Sequence, residues 1–309
     1  MKKCPGPLIR DRVETTDSTY IALRDRPELG ERRELVERMW SSYWAYADEA
    51  FCTDLPRDCF SRFWEMDLSC ALLDLGHSLC ERSGTGPDVC IEEGASRIWL
   101  EAVAPRAGSG PNGAPDLVAD LIAREFTDDA YGGVPGFGSQ ILRYRGAIKE
   151  KLAKYEQYLR SELIQPSEPY VIALNGFQVP GSIIDDDDVP TILKAVYPLG
   201  PPKWRFDFAK GEVTDLGPSY RGAVKTAAGS DVPTTIFLDQ HYAGVSAVLY
   251  ARCDVYNRPA RPGGEFIVVH NREASNQLDR GWIRAGVEFW ADHDGIERHD
   301  WEDEPASDR

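Results

Sequence analysis

The chain has 309 residues, 42% of them hydrophobic and 28% charged, with a formal net charge of −16. That is enough apolar material for one large domain or two small ones. No apolar run approaches the ~20 residues a membrane helix needs, and the opening Met1-Lys2-Lys3-Cys4-Pro5-Gly6 lacks the apolar stretch of a secretory leader, so a soluble cytoplasmic protein with no membrane partner is expected.

Seven cysteines, an odd number with no C-x-x-C pair, argue against a disulfide framework or a structural zinc site and for reduced core thiols. The acidic balance means that a nucleic acid could be approached only through locally basic surface.

The first fifty residues hold Arg10, Arg12, Arg24, Arg26, Arg32 and Arg33 among acids, followed by Trp40, Trp44 and Phe51 at helical spacing. Such a segment is either an arm approaching a nucleic-acid backbone or a helical layer packing its aromatics on a core, and the spacing favours the layer. Arg62 to Leu73 then reads as an amphipathic helix that carries Glu65 and ends at Gly76-His77. Ser78-Leu79-Cys80-Glu81 predicts a first strand. Val89-Cys90-Ile91 and residues 98–103 predict two more, joined by the turn Glu92-Glu93-Gly94-Ala95-Ser96. Asp88 thus enters one strand and Glu101 lies in its neighbour, so the two carboxylates can meet.

Residues 106–115 are too rich in Gly and Pro for regular structure, residues 116–125 read as a short helix, and residues 131–138 form a second Gly-rich stretch. The whole of 106–138 is expected to act as a mobile cover beside the carboxylates. Ser139 then predicts the N-cap of the strongest helix of the chain, 140–159, with an apolar stripe of Ile141, Ile148, Leu152, Tyr155 and Leu159. Its basic residues are Arg143, Arg145, Lys149, Lys151 and Lys154, with Lys151 flanking the stripe. They are either functional cations or ordinary solvated charges, and a Glu150–Lys154 pair would suit the second view.

Pro169 to Gly176 reads as a buried strand parallel to that of Glu101 across a helical crossover. Residues 188–197 read as a helix capped by Asp188. Asp185 to Asp187 could bind a cation, although acids at a helix entrance suit the dipole better. Beyond Lys203 the texture is β, with strands expected at 204–208, 235–238, 246–251, 265–270 and 286–290, either extending the central sheet or forming a packed second lobe. His270 ends one of them, as a polar terminus or a substrate contact. The acidic tail contributes nine acids against one arginine between Glu288 and Asp308. The organisation expected is a helical arm over 1–58, an α/β core over 59–200 and a β-rich extension over 201–309. G-x-x-x-x-G-K-[ST], a helix-opening G-x-G-x-x-G, G-x-S-x-G and H-E-x-x-H do not occur, which removes the main support for nucleotide-binding, serine-hydrolase and zinc-protease functions.

Pro87-Asp88 opening one strand, Glu101 on the next and Glu65 on the preceding helix resemble the PD-(D/E)XK nuclease superfamily, over about residues 65 to 175. The resemblance implies a restriction-endonuclease-like mixed sheet flanked by helices and a metal-dependent endonuclease, a hydrolase of phosphodiester bonds in nucleic acid, DNA in the first instance. It implies Mg2+ or Mn2+ on Asp88 and Glu101, with Glu65 assisting. The family lysine falls at Val103, two residues after Glu101. The resemblance therefore implies a cation from the following helix, Lys151 first, with Arg143, Arg145, Lys149 and Lys154 facing the substrate. The alternative is an inactive nuclease-like scaffold that binds a protein or nucleic acid.

Overall fold

The computed structural model describes residues 6–81, 84–94, 96–109, 137–185, 188–293 and 295–302. Its centre is a mixed eight-stranded sheet with helices on both faces. The strands are β1 (Ser78–Leu79), β2 (Val89–Glu93), β3 (Ser96–Val103), β4 (Tyr170–Asn175), β9 (Ala247–Ala251), β10 (Ile267–His270), β11 (Val287–Ala291) and β12 (Ile296–Asp300), adjacent in that order. β3, β4 and β9 run parallel, β10 and β11 are parallel, and the remaining pairs are antiparallel. Every residue of β4 is buried, as a parallel strand covered on both faces requires. Its Val171, Ile172 and Leu174 each contribute about 1.5–3 kcal/mol of burial, and Ile172→Asp would remove that and strand a charge.

The helices divide between the two faces. α4 (Cys59–Asp74) starts at Asp58, whose side chain accepts the Ser61 N–H, and lays Trp64, Leu68, Ala71 and Leu72 on the face formed by Leu100, Val171, Ala173 and Leu249. Trp64 Nε1 donates to the Ala173 carbonyl at 3.0 Å, satisfying the indole in the core. The far side of α4, with Phe63, Met66 and Cys70, is roofed by α1 (Ser18–Asp25), α2 (Gly30–Tyr43) and α3 (Phe51–Asp54). Trp40 stacks on Phe51 there, 5.5 Å between centroids, so the N-terminal aromatics form a packed layer. Apolar on nearly all sides, α4 is a buried helix.

The opposite face is covered by α5 (Phe137–Arg160) and α6 (Thr191–Val196). α5 places Ile141, Tyr144, Ile148, Leu152 and Tyr155 against Ile172, Leu174, Val248 and Tyr250. It begins at Phe137, so Ser139 lies inside the helix and is not its cap. Pro190 precedes α6 instead of Asp188, and the cap is supplied from further upstream, where the Asp185 carboxylate accepts the Thr191 N–H at 2.8 Å and its hydroxyl at 2.7 Å.

β9 to β12 continue the central sheet and are not a second lobe. Residues 236–238 form a 3-10 turn rather than a strand: a short apolar run does not fix its own period, and Ile236 and Phe237 reach the core from the turn. β12 comes from the acidic tail, where charged side chains suit a half-exposed edge. Two hairpins stand apart from the sheet: β5 (Leu199–Asp207) with β6 (Glu212–Tyr220), and β7 (Ala223–Lys225) with β8 (Asp231–Pro233). The expected helix at 116–125 and most of the expected cover lie outside the described residues. Among the described residues, no helix is long and apolar enough to cross a membrane.

Candidate functional site

Val89 of β2 pairs with Leu100 of β3, which sets Asp88 opposite Glu101. Alternation along the strands then turns both carboxylates to the α5 face, with Trp99 and Val103. Gly86, at φ +134°, is in a region that favours glycine and bends the chain into Pro87-Asp88. The Asp88 carboxylate accepts the Ala102 N–H at 2.9 Å, extending the ladder by one side-chain rung. It also lines an open cleft with Gly86, Pro87, Cys80, Cys90 and Trp99. Cys80, just after β1, and Cys90 of β2 face each other as free thiols with their Sγ atoms 2.6 Å apart, and burial raises the pKa of both.

Glu101 is 1% exposed and surrounded by donors from α5. Its Oε1 accepts Lys151 Nζ at 2.9 Å and Lys154 Nζ at 2.8 Å. The Tyr158 hydroxyl stands 3.1 Å from Glu101 Oε2 and 3.3 Å from the Gly86 carbonyl. The three donors are spaced i, i+3, i+7, which places them on one side of the helix. Lys151 is buried beside Leu152, its stem lying along apolar surface, whereas the Lys154 side chain is 44% exposed. Burial alone would lower the Lys154 pKa, but the charge and hydrogen bond of Glu101 outweigh it and hold it above the ordinary lysine value. Both acids and both lysines thus share one place, with Lys154 at its solvent edge.

No family model, curated protein or solved structure matches the chain.

The other expected site residues are distributed elsewhere. Glu65 sits on α4, across the sheet from Glu101, where Tyr43 donates to it at 2.6 Å and Arg62 at 2.7 Å, so it belongs to the N-terminal helical layer. Arg145 is buried away from the carboxylates: its Nε donates to the Pro233 carbonyl at 2.7 Å and its guanidinium lies over the Tyr242 ring. Arg143 Nε donates to the Arg106 carbonyl at 2.8 Å, just beyond β3, and Lys149 is exposed on α5. Lys154 reaches Glu101 although Glu150, one turn back, offered a local partner. Tyr158 is a member of the group that the sequence reading passed over; its place seven residues after Lys151 was the available signal. His270 is a polar strand terminus, its Nε2 2.6 Å from Glu288 Oε1, and Glu288 also receives the Gly281 N–H.

A second group of ionisable residues lies on the α4 face. Asp67, Cys253 and Glu265 bring their ligand atoms within 4.8 Å of one another and could hold a metal ion. Burial pushes the Asp67 carboxyl and the Cys253 thiol above their ordinary pKa values. Burial, reinforced by the Asp67 charge, pushes Glu265 up to about 7. Arg258 makes an ion pair with Asp67 Oδ1.

Proposed function

We propose that the chain is a metal-dependent nuclease whose site is Asp88, Glu101, Lys151 and Lys154, related to the PD-(D/E)XK enzymes with the lysine moved from the strand to α5. The observation that carries this is the ion pair between Lys151 and Glu101 at 2.9 Å, which places an ammonium beside the strand carboxylates although Val103 occupies the family position.

Two carboxylates on adjacent strands, turned to one face, are the hard oxygen donors that magnesium or manganese takes. Asp88 and Glu101 would hold the ion, and the ion would supply polarisation of the scissile phosphate and a lowered pKa for the attacking water. Lys151 uses one of its three N–H bonds to fix the Glu101 carboxylate. Lys154, charged across the neutral range and partly exposed, stabilises charge building on a phosphate oxygen. The Tyr158 hydroxyl, closer to Glu101 Oε2 than to the Gly86 carbonyl, donates to the carboxylate and helps to fix it. DNA is the first substrate to try, because the strand carboxylates resemble those of nucleases that act on it.

The test is cleavage of single-stranded DNA, duplex DNA and RNA with Mg2+ and with Mn2+, wild type beside Asp88→Asn and Glu101→Gln. Cleavage that both variants abolish supports the assignment; a wild type inactive on every substrate with both ions overturns it. One observation favours a second reading, a binding scaffold without catalysis: both Glu101 oxygens are already hydrogen-bonded. Retention of nucleic acid in a gel shift without any cleavage would establish that reading instead.

A further inference from the structure

Three groups that the proposed cleavage does not use converge on the α4 face of the sheet. Asp67 comes from α4, Cys253 lies two residues after β9 and Glu265 two residues before β10. Cys253 Sγ is 3.3 Å from Asp67 Oδ2 and 3.4 Å from Glu265 Oε1. Around a tetrahedral zinc, with Zn–S about 2.3 Å and Zn–O about 2.0 Å, the sulfur-to-oxygen edge is about 3.5 Å. The trio therefore already has the spacing of such an edge on both sides of the sulfur.

An independent observation points to a cation. Glu265 is half-buried, yet its Oε2 atom is enclosed and has no hydrogen-bond partner among the described residues, whereas enclosed carboxylate oxygens are almost always satisfied. Arg258 holds Asp67 by its other oxygen, Oδ1, which leaves Oδ2 turned to the sulfur. The charges also balance. With an ion bound, a thiolate, two carboxylates and one guanidinium sum to −2, and a divalent ion brings the group to neutrality.

We propose that Asp67, Cys253 and Glu265 form a binding site for a divalent cation of borderline softness, zinc in the first instance. The thiolate selects against magnesium and calcium, and the oxygens keep the site from being one for a purely soft ion. The described residues supply three ligands, so a water completes a tetrahedron. On binding, the Cys253 S–H bond is replaced by a sulfur–metal bond, and the proton leaves to solvent.

The experiment uses the full chain, stripped with a chelator and dialysed against Co2+ and then Zn2+, with no nucleic acid present, so its outcome is separate from that of the cleavage assay. One equivalent of cobalt per chain is expected, with a thiolate-to-cobalt charge-transfer band that zinc abolishes by displacement. Cys253→Ser should lose the band. Glu265→Gln, nearly isosteric and checked for folding by circular dichroism, should weaken affinity at least ~10-fold, since even residues behind a ligand cost that much. The double variant Cys80→Ser/Cys90→Ser should keep the band. Substoichiometric uptake by the wild type, or a band that survives Cys253→Ser and disappears in the Cys80/Cys90 variant, overturns the proposal.

Discussion

The two faces of the sheet carry groups of ionisable residues of different balance. On the α5 face, Glu101 receives two ammonium groups and a hydroxyl; on the α4 face, two carboxylates and a thiol come together and Asp67 pairs with the guanidinium of Arg258. One place sets two ammonium groups against Glu101 and the neighbouring Asp88, with Lys154 at its solvent edge. The other has more potential anion than its cation can neutralise, and its surplus is enclosed. Burial gives both acid groups a reason to attract positive charge. What differs is where that charge comes from: the α5 side chains supply it on one face, while on the other the side chains fall short.

The largest effect should come from Glu101→Ala, which leaves Lys151 buried without its carboxylate. A stability loss of about 3–5 kcal/mol is expected in urea unfolding, while Glu101→Leu combined with Lys151→Met should recover most of it. A double variant no more stable than Glu101→Ala would show that the charges are not what holds this contact. Next, Asp67→Ala deprives Arg258 of its partner and should cost about 2 kcal/mol, a loss that added zinc does not repair.

Lys151→Met should cost less, about 1–2 kcal/mol, because Lys154 still donates to the same Glu101 oxygen. If the chain cleaves nucleic acid, turnover should fall by about 10²-fold in that variant and by at least as much in Lys154→Met. An unchanged rate in both would remove the α5 lysines from the chemistry. Tyr158→Phe removes one hydrogen bond and should cost about 1 kcal/mol, read as a shift in Tm. The smallest effect belongs outside both groups: Phe208, 90% exposed beyond β5, should tolerate Ser within about ±0.5 kcal/mol.

Local pattern made much of this architecture readable. Asp88 and Glu101 could be set opposite each other because two short apolar runs flanked a five-residue turn, and pairing across such a turn fixes register. Lys151 was readable from its flank of an apolar stripe. Helix ends were less so: Asp188 and Ser139 have capping chemistry, but Asp185 caps α6 from six residues away and α5 begins before Ser139. Glu65 shows the limit of order along the chain. It precedes the strands as a third acid should, yet α4 lies on the other face, and Tyr43 and Arg62 take its carboxylate. The trio of Asp67, Cys253 and Glu265 spans nearly two hundred residues and has no spacing of its own; only the adjacency of β9 and β10 over α4 assembles it.

The placement of β9 beside β4 bears on how the chain reaches this state. β4 is flanked by β3 and β9, and β9 begins seventy-two residues after β4 ends, at Ala247. During synthesis, the apolar run from Tyr170 to Leu174 therefore leaves the ribosome with one edge paired and the other open until most of the protein has been made. Long-range parallel pairing of this kind is slow to form and exposes an aggregation-prone strand while it waits. A truncation ending before Ala247 should accordingly accumulate as insoluble material rather than as a smaller soluble unit.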